Sequence, residues 1–212
     1  HPRVYAAFDA VLPCCAHTAG GHELAEPGPN SLIMSHDRWC IYLPSAEHPE
    51  WKTPYNLHLD LCPWSYFGDA PSGLDSLTYA QEQWPLQDFR AEINCVTAEK
   101  GPHCQGVLNL FDNDAGDGGT CIVPQFHKHF SKWYAALGPI DDYVNKTGDR
   151  DNRVLRRNGG GGSFRFSDHD PIHKLAQRVP MRAGSLLIWN QELVHGSKPN
   201  DSTNLRMAQF VR

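Results

Sequence analysis

Ala183-Gly184-Ser185-Leu186-Leu187-Ile188-Trp189, followed by Leu193-Val194-His195-Gly196-Ser197 and by Leu205-Arg206-Met207-Ala208-Gln209-Phe210-Val211, is the stretch that decides the fold class. Pro180 and Gly184 stand before the first apolar run, and the turn-forming residues from Gly196 to Ser202 separate it from the second. Short apolar runs bounded by Gly, Pro, Asn and Asp are how strands of a sandwich or barrel look. The tail from Val179 to Arg212 therefore reads strand, turn, strand. Working outward, Trp39 to Leu43, Val107 to Phe111 and Thr120 to Val123 have the same form. Leu86 to Ile93 and Lys128 to Leu137 read as helices, neither of them long. With 18 Gly and 16 Pro spread along the whole sequence, the expectation is a mainly antiparallel β protein with a few helical additions.

The 212 residues are expected to form a single domain. Apolar residues make up 40% and include six Trp, enough for a real core, which rules out wholesale disorder. Nineteen Lys and Arg against 24 Asp and Glu give a net charge of −5, so no general electrostatic pull toward phosphates exists and nucleic acid is disfavoured as a partner. No apolar run approaches the roughly 20 residues of a membrane span. The chain opens on His1 rather than Met, as expected where a start has been trimmed, so the compartment stays open with the cytoplasm as the default. Seven cysteines (14, 15, 40, 62, 95, 104 and 121) are odd in number and contain no CxxC pair, which suits reduced, mostly buried thiols better than disulfides or a structural zinc site.

Two stretches fit poorly into a compact core. Residues 65–101 are polar and Pro-rich. Residues 148–170 carry Arg150, Arg153, Arg156 and Arg157, then four consecutive glycines from Gly159 to Gly162, and read as a mobile surface loop, with a lid over an active site as the sharper version.

The chemistry concentrates in His58-Leu59-Asp60. In an extended segment residues i and i+2 share a face, so His58 and Asp60 project together. An imidazole and a carboxylate are two of the three ligands of the facial triad that suits ferrous iron and leaves three positions open. Alone, HxD recurs widely, and a strand histidine bonded to an acid accounts for most instances. The tail changes that: His195, at the end of an apolar run, can supply a third ligand, and eleven residues on Arg206 stands where a fixed cation can grip a carboxylate bidentately. Ser197 adds a hydroxyl donor.

This ordered set, His58-x-Asp60, His195 and Arg206, resembles that of the iron(II)/2-oxoglutarate oxygenases, and most of all the phytanoyl-CoA dioxygenase family. Three further segments are similar to that family: Gly118-Gly119-Thr120-Cys121-Ile122-Val123-Pro124-Gln125-Phe126-His127, Ala183 to Trp189, and His195-Gly196-Ser197-Lys198-Pro199-Asn200. The resemblance covers about a third of the chain. It implies a double-stranded β-helix, a jelly-roll or cupin-like barrel with a few flanking helices. It implies that His58, Asp60 and His195 bind Fe(II), and that Arg206, aided by Ser197, binds the 5-carboxylate of 2-oxoglutarate. Dioxygen and 2-oxoglutarate would then be consumed in hydroxylating a C–H bond of a small-molecule or lipid-like substrate, with ascorbate as a candidate reductant.

Several departures refine this. Asp60 is retained, which favours hydroxylation over halogenation. Ala208 stands two after Arg206, so no hydroxyl comes from that strand and Ser197 gains weight. Insertions are expected at about 65–104 and 138–178 of a domain spanning 1–212, and the N-terminal helical region looks truncated or replaced. Two other readings remain at this point. One is a nucleic-acid base oxidase or demethylase of the same superfamily, suggested by Arg206 and Arg212 six apart and by Arg150 to Arg157. The other is a catalytically inactive barrel that binds without turnover, against which stands the presence of all four site residues. His127, His129, His103-Cys104 and His169-x-x-x-His173 read as turn and loop residues rather than ligands. Trp39 and Trp189 are expected to pack the barrel, and Trp51, Trp64 and Tyr66 lie near enough to the HxD motif for one to line a substrate pocket.

Overall fold

The computed structural model describes residues 1–16, 36–61, 63–64, 104–139, 142–143, 154–156 and 162–211, with backbone alone for 12–16, 36–37, 154–156 and 162. Helix α1 (Pro2–Ala16) is followed by strands β1 (His36–Tyr42), β2 (Asn56–Leu59), β3 (Cys104–Asn109) and β4 (Gly119–Ile122). A 3₁₀ turn (Phe126–His129) leads into the short helix α2 (Phe130–Ala135). Strands β5 (Val154–Arg156), β6 (Gly162–Arg165), β7 (Gln177–Arg178), β8 (Leu186–Asn190), β9 (His195–Lys198) and β10 (Arg206–Val211) complete the order. The protein is mainly β, with two antiparallel sheets. Four strands run in the order β1-β10-β3-β8 and six in the order β5-β6-β2-β9-β4-β7. Among the described residues no helix is long and apolar enough to cross a membrane.

The apolar runs read from the sequence form strands within a few residues of their expected ends, and the helix expected at Lys128 to Leu137 appears as the 3₁₀ turn and α2. The helix expected at Leu86 to Ile93, and the polar stretch 65–101, lie outside the described residues. The break expected from Gly196 onward is shorter than the sequence suggests. Gly196, Ser197 and Lys198 continue β9, paired on one side with β2 and on the other with β4. Helix α1 lies against β3 and β8, where Phe8 fills the space left by the missing side chain of Gly106. Pro13, inside this helix, hid it from a reading of the sequence, because an interior proline normally argues against one.

The six-stranded sheet has two unlike faces. Along β2, Leu57 and Leu59 are fully buried on one side while Asn56 and His58 point to the other, the period-2 alternation of a strand. Behind Leu57 and Leu59 lies an aromatic layer. Trp133 of α2 meets Phe164 at 5.2 Å and Phe166 at 5.6 Å between ring centroids, with Phe126, Phe130 and Trp64 around them. This overturns part of the loop reading of residues 148–170: Gly162–Arg165 is a strand hydrogen-bonded to β2, and Phe164 and Phe166 are core residues. Two buried phenylalanines, at about 1.5–3 kcal/mol each, outweigh the roughly 0.5–1 kcal/mol that each glycine costs in chain entropy. Residues 157–161 lie outside the description.

Two tryptophan expectations also change. Trp189 packs inside as expected, but Trp39 is 59% exposed, because Cys40 and Tyr42 take the inward positions of β1. Trp64 belongs to the aromatic layer and Trp51 is exposed; Tyr66 lies outside the described residues. Of the three cysteines whose side chains are described, Cys104 and Cys121 are buried free thiols and Cys40 is half-buried.

Strands β2 and β9 approach so closely at Gly196 that a Cβ there would stand 1.7 Å from the carbonyl oxygen of Asn56. Gly196→Ala should therefore lower stability by about 2–3 kcal/mol or more in urea unfolding. Gly184 has a left-handed φ of 79° but open space around it. Gly184→Ala should cost only about 1 kcal/mol, from backbone conformation alone.

Candidate functional site

The polar face of the six-stranded sheet carries two cross-strand rows. In the first, His58 of β2 stands directly opposite His195 of β9. Residues in register on neighbouring antiparallel strands project side by side, and the two imidazole rings lie 4.5 Å apart between centroids. Asp60, one residue past the end of β2, reaches the same spot. Its Oδ1 is 3.5 Å from His58 Nε2 and its Oδ2 is 3.7 Å from His195 Nε2. One ligand atom from each of the three falls within 4.8 Å of the others, so a single metal ion can be held by all three. Two imidazoles and one carboxylate form a set suited to ferrous iron, with coordination positions left open.

The surroundings prepare these groups for such a role. His195 Nδ1 lies 2.9 Å from the carbonyl oxygen of Leu193. A carbonyl only accepts, so Nδ1 carries the proton and donates it, leaving the Nε2 lone pair aimed at the cluster. Burial pushes the His58 imidazole down to about 3, helped by the neighbouring His195 and opposed by Asp60. It is therefore neutral at physiological pH, as a metal ligand must be. Gln105 of β3 donates from Nε2 to Asp60 Oδ2 at 2.7 Å.

The second row, two residues along the strands and so about 7 Å away, contains Asn56, Ser197 and Thr120. Asn56 Oδ1 accepts from the Ser197 backbone N–H at 3.1 Å. Across the gap between the sheets, Tyr42 Oη and Ser197 Oγ are 3.3 Å apart, tying β1 to β9. Arg206 is the residue opposite Tyr42 on β10, and its guanidinium lies over the Tyr42 ring at 4.3 Å. Asn200 braces the loop leading to Arg206, donating to the backbone carbonyls of Tyr42 and Asn204.

Arg206 is 1% exposed, yet Nε, Nη1 and Nη2 all have no hydrogen-bond partner, and the buried hydroxyl of Thr120 has none either. Burying an unpaired guanidinium costs several kcal/mol, which a bound anion would offset. A cavity of about 580 Å³, walled in part by Tyr42, Thr120, Ser197, His58, Asp60 and His195, joins the two rows.

The structure thus brings together His58, Asp60 and His195, and places Ser197 and Arg206 against a common neighbour, Tyr42. Sequence reasoning missed Tyr42, Thr120 and Gln105. Their only signal is the inward phase of their strands, which shows once register is known. Of the histidines set aside, His173 meets the backbone carbonyl of Ser167 at 2.8 Å and packs on Tyr55, while His127 and His129 lie in the 3₁₀ turn. His103 lies outside the described residues, as do Arg150, Arg153, Arg157 and Arg212; Arg156 is described by its backbone alone.

Comparison with known proteins agrees with this architecture. Residues 77–208 match the family model described as phytanoyl-CoA dioxygenase, a span that includes His195, Ser197 and Arg206 but begins after His58 and Asp60. A protein of Dictyostelium discoideum named "Putative phytanoyl-CoA dioxygenase" is 37% identical over 184 residues, which is 85% of this chain and 46% of that protein. The chain therefore spans about half the length of the relative it matches. The matched span, together with a relative of this identity, places the chain in the phytanoyl-CoA dioxygenase family.

Proposed function

We propose that this chain is an iron(II)- and 2-oxoglutarate-dependent dioxygenase that hydroxylates a C–H bond of a small-molecule or lipid-like substrate. The observation that carries the reading is the buried, unpartnered Arg206 guanidinium stacked on Tyr42, a residue that walls a cavity also reaching a three-ligand cluster. The strand order supports a double-stranded β-helix. The strands β1, β2, β3 and β4 alternate between the two sheets, as do β7, β8, β9 and β10, with β5 and β6 added outside β2. On this reading 1–212 is one oxygenase domain with insertions at about 65–104 and 138–178.

His58, Asp60 and His195 would hold the iron. When bound, ferrous iron supplies the oxidation, in which substrate, dioxygen and 2-oxoglutarate give hydroxylated substrate, succinate and carbon dioxide. The protein's own groups position the reactants. Arg206 takes the 5-carboxylate of 2-oxoglutarate as the missing partner of its three nitrogens, a pairing that Arg makes bidentately. The Ser197 hydroxyl, held by Tyr42, and the Thr120 hydroxyl add donors at the same end. The spacing of about 7 Å between the two rows suits a five-carbon diacid reaching from the metal to the Ser197 and Thr120 hydroxyls. His195 holds its proton on Nδ1 toward the Leu193 carbonyl and Gln105 donates to Asp60 Oδ2, so both side chains keep their orientation toward the cluster.

The direct test is succinate release with Fe(II) and 2-oxoglutarate against a panel of metabolites, lipids and nucleosides. Turnover on a metabolite or lipid supports the reading; turnover confined to nucleosides or nucleic acid favours the base-oxidising alternative, and none with any substrate leaves an inactive binding barrel. Asp60→Ala should abolish both iron binding and hydroxylation, and full activity in that variant removes Asp60 from the metal shell. Arg206→Ala should weaken 2-oxoglutarate binding by about 100-fold or more, the usual scale for truncating one partner of a buried charge pair. Metal affinity in the same variant should stay within about three-fold, which parallel metal and co-substrate titrations would check.

A further inference from the structure

Gln105 and Trp189 form a registered pair between β3 and β8 in the four-stranded sheet, whereas His195 lies in the six-stranded sheet and Asp60 directly follows its strand β2. Trp189 Nε1 lies 3.2 Å from Gln105 Oε1. An indole N–H only donates, so it must face the carbonyl end of the Gln105 amide. That contact fixes which way the amide points: its NH₂ end is turned to Asp60 Oδ2, at 2.7 Å. The chain of donors therefore runs in one direction, from Trp189 through Gln105 to Asp60. The same indole packs against the His195 ring, 5.0 Å away between centroids. One side chain on the opposite sheet thus touches one candidate ligand directly and holds a second through a single amide.

We infer that Gln105 and Trp189 are positioning residues that set the carboxylate of Asp60 and the ring of His195 for metal binding. A carboxylate one residue beyond a strand end can rotate about its terminal bond; the Gln105 donor fixes Oδ2 and so turns Oδ1 to the side facing His58. As a neutral donor, Gln105 orients the carboxylate without cancelling the charge that the metal needs. Trp189 also keeps the amide from turning its carbonyl toward Asp60, where two acceptors would repel.

This inference rests on the metal reading of His58, Asp60 and His195, and the test separates the two. Cobalt(II), titrated into the co-substrate-free protein and followed by visible absorption, is the probe. Outer partners of metal ligands typically account for 10- to 100-fold in affinity. Gln105→Leu and Gln105→Glu should each lower cobalt affinity by about 10-fold or more and alter the spectrum, Glu because it matches the shape of Gln but presents an acceptor. Trp189→Phe, which keeps a ring against His195 and loses the N–H, should lower it by several-fold. Adding it to Gln105→Leu should lower it by less than about two-fold further, because the relay is already broken. Parental affinity and spectrum in both Gln105 variants, or full additivity in the double variant, overturns the inference while the metal reading stands. A parent protein that binds no cobalt, or an Asp60→Ala variant that binds it unchanged, overturns both.

Discussion

The register of β2 against β9 is the constraint on which the rest of the site depends. His58 and His195 are 137 positions apart in the chain, and nothing local brings them together; their adjacency follows from antiparallel pairing that sets one opposite the other. Side chains alternate with a period of two, so a slip of one residue would turn one imidazole into the aromatic layer behind the sheet and Leu57 or Leu59 into the cavity. The apolar face therefore protects the polar one. Leu57, Leu59 and Phe164 hold the phase of β2, and Gly196 permits the close approach of β9 that the pairing demands.

The second organising feature is a charge without a counter-charge. Folding buries Arg206 against the Tyr42 ring and leaves all three of its nitrogens without a hydrogen-bond partner. Such an arrangement is unfavourable in isolation and becomes favourable on meeting a carboxylate, so part of the binding energy is set in advance by the fold. The protein is net acidic, with a charge of −5, so any pull of Arg206 on an anion would be local and opposed by the charge of the chain as a whole.

What the sequence made legible, and what it concealed, follows from how each residue is specified. Strands β3, β4, β8 and β10 announced themselves as bounded apolar runs. His58, Asp60, His195 and Arg206 stood out as an ordered set resembling that of a known family, and the structure brings the first three together. Tyr42 and Gln105 were not, since each is a single residue whose meaning arises only across the gap between two sheets. The inward and outward faces of β1 are both apolar, Cys40 and Tyr42 against Trp39 and Ile41, so alternation alone did not say which way Trp39 points. In β6 the alternation of Phe164 and Phe166 was present, but the preceding glycines outweighed it in the reading; tertiary burial reversed that weighting.

The β5–β6 hairpin attaches to the flank of β2 away from β9 and lies outside the strands that alternate between the sheets. It nevertheless brings Ser163 and Arg165 to the cavity wall, with Arg165 opposite His58. Part of the chamber's wall is thus built from an appended ribbon, held by main-chain bonds to β2 and by Phe164 in the core. Ser163 and Arg165 alternate with the buried Phe164, so a change at either would reshape the lining while leaving the packing beneath in place.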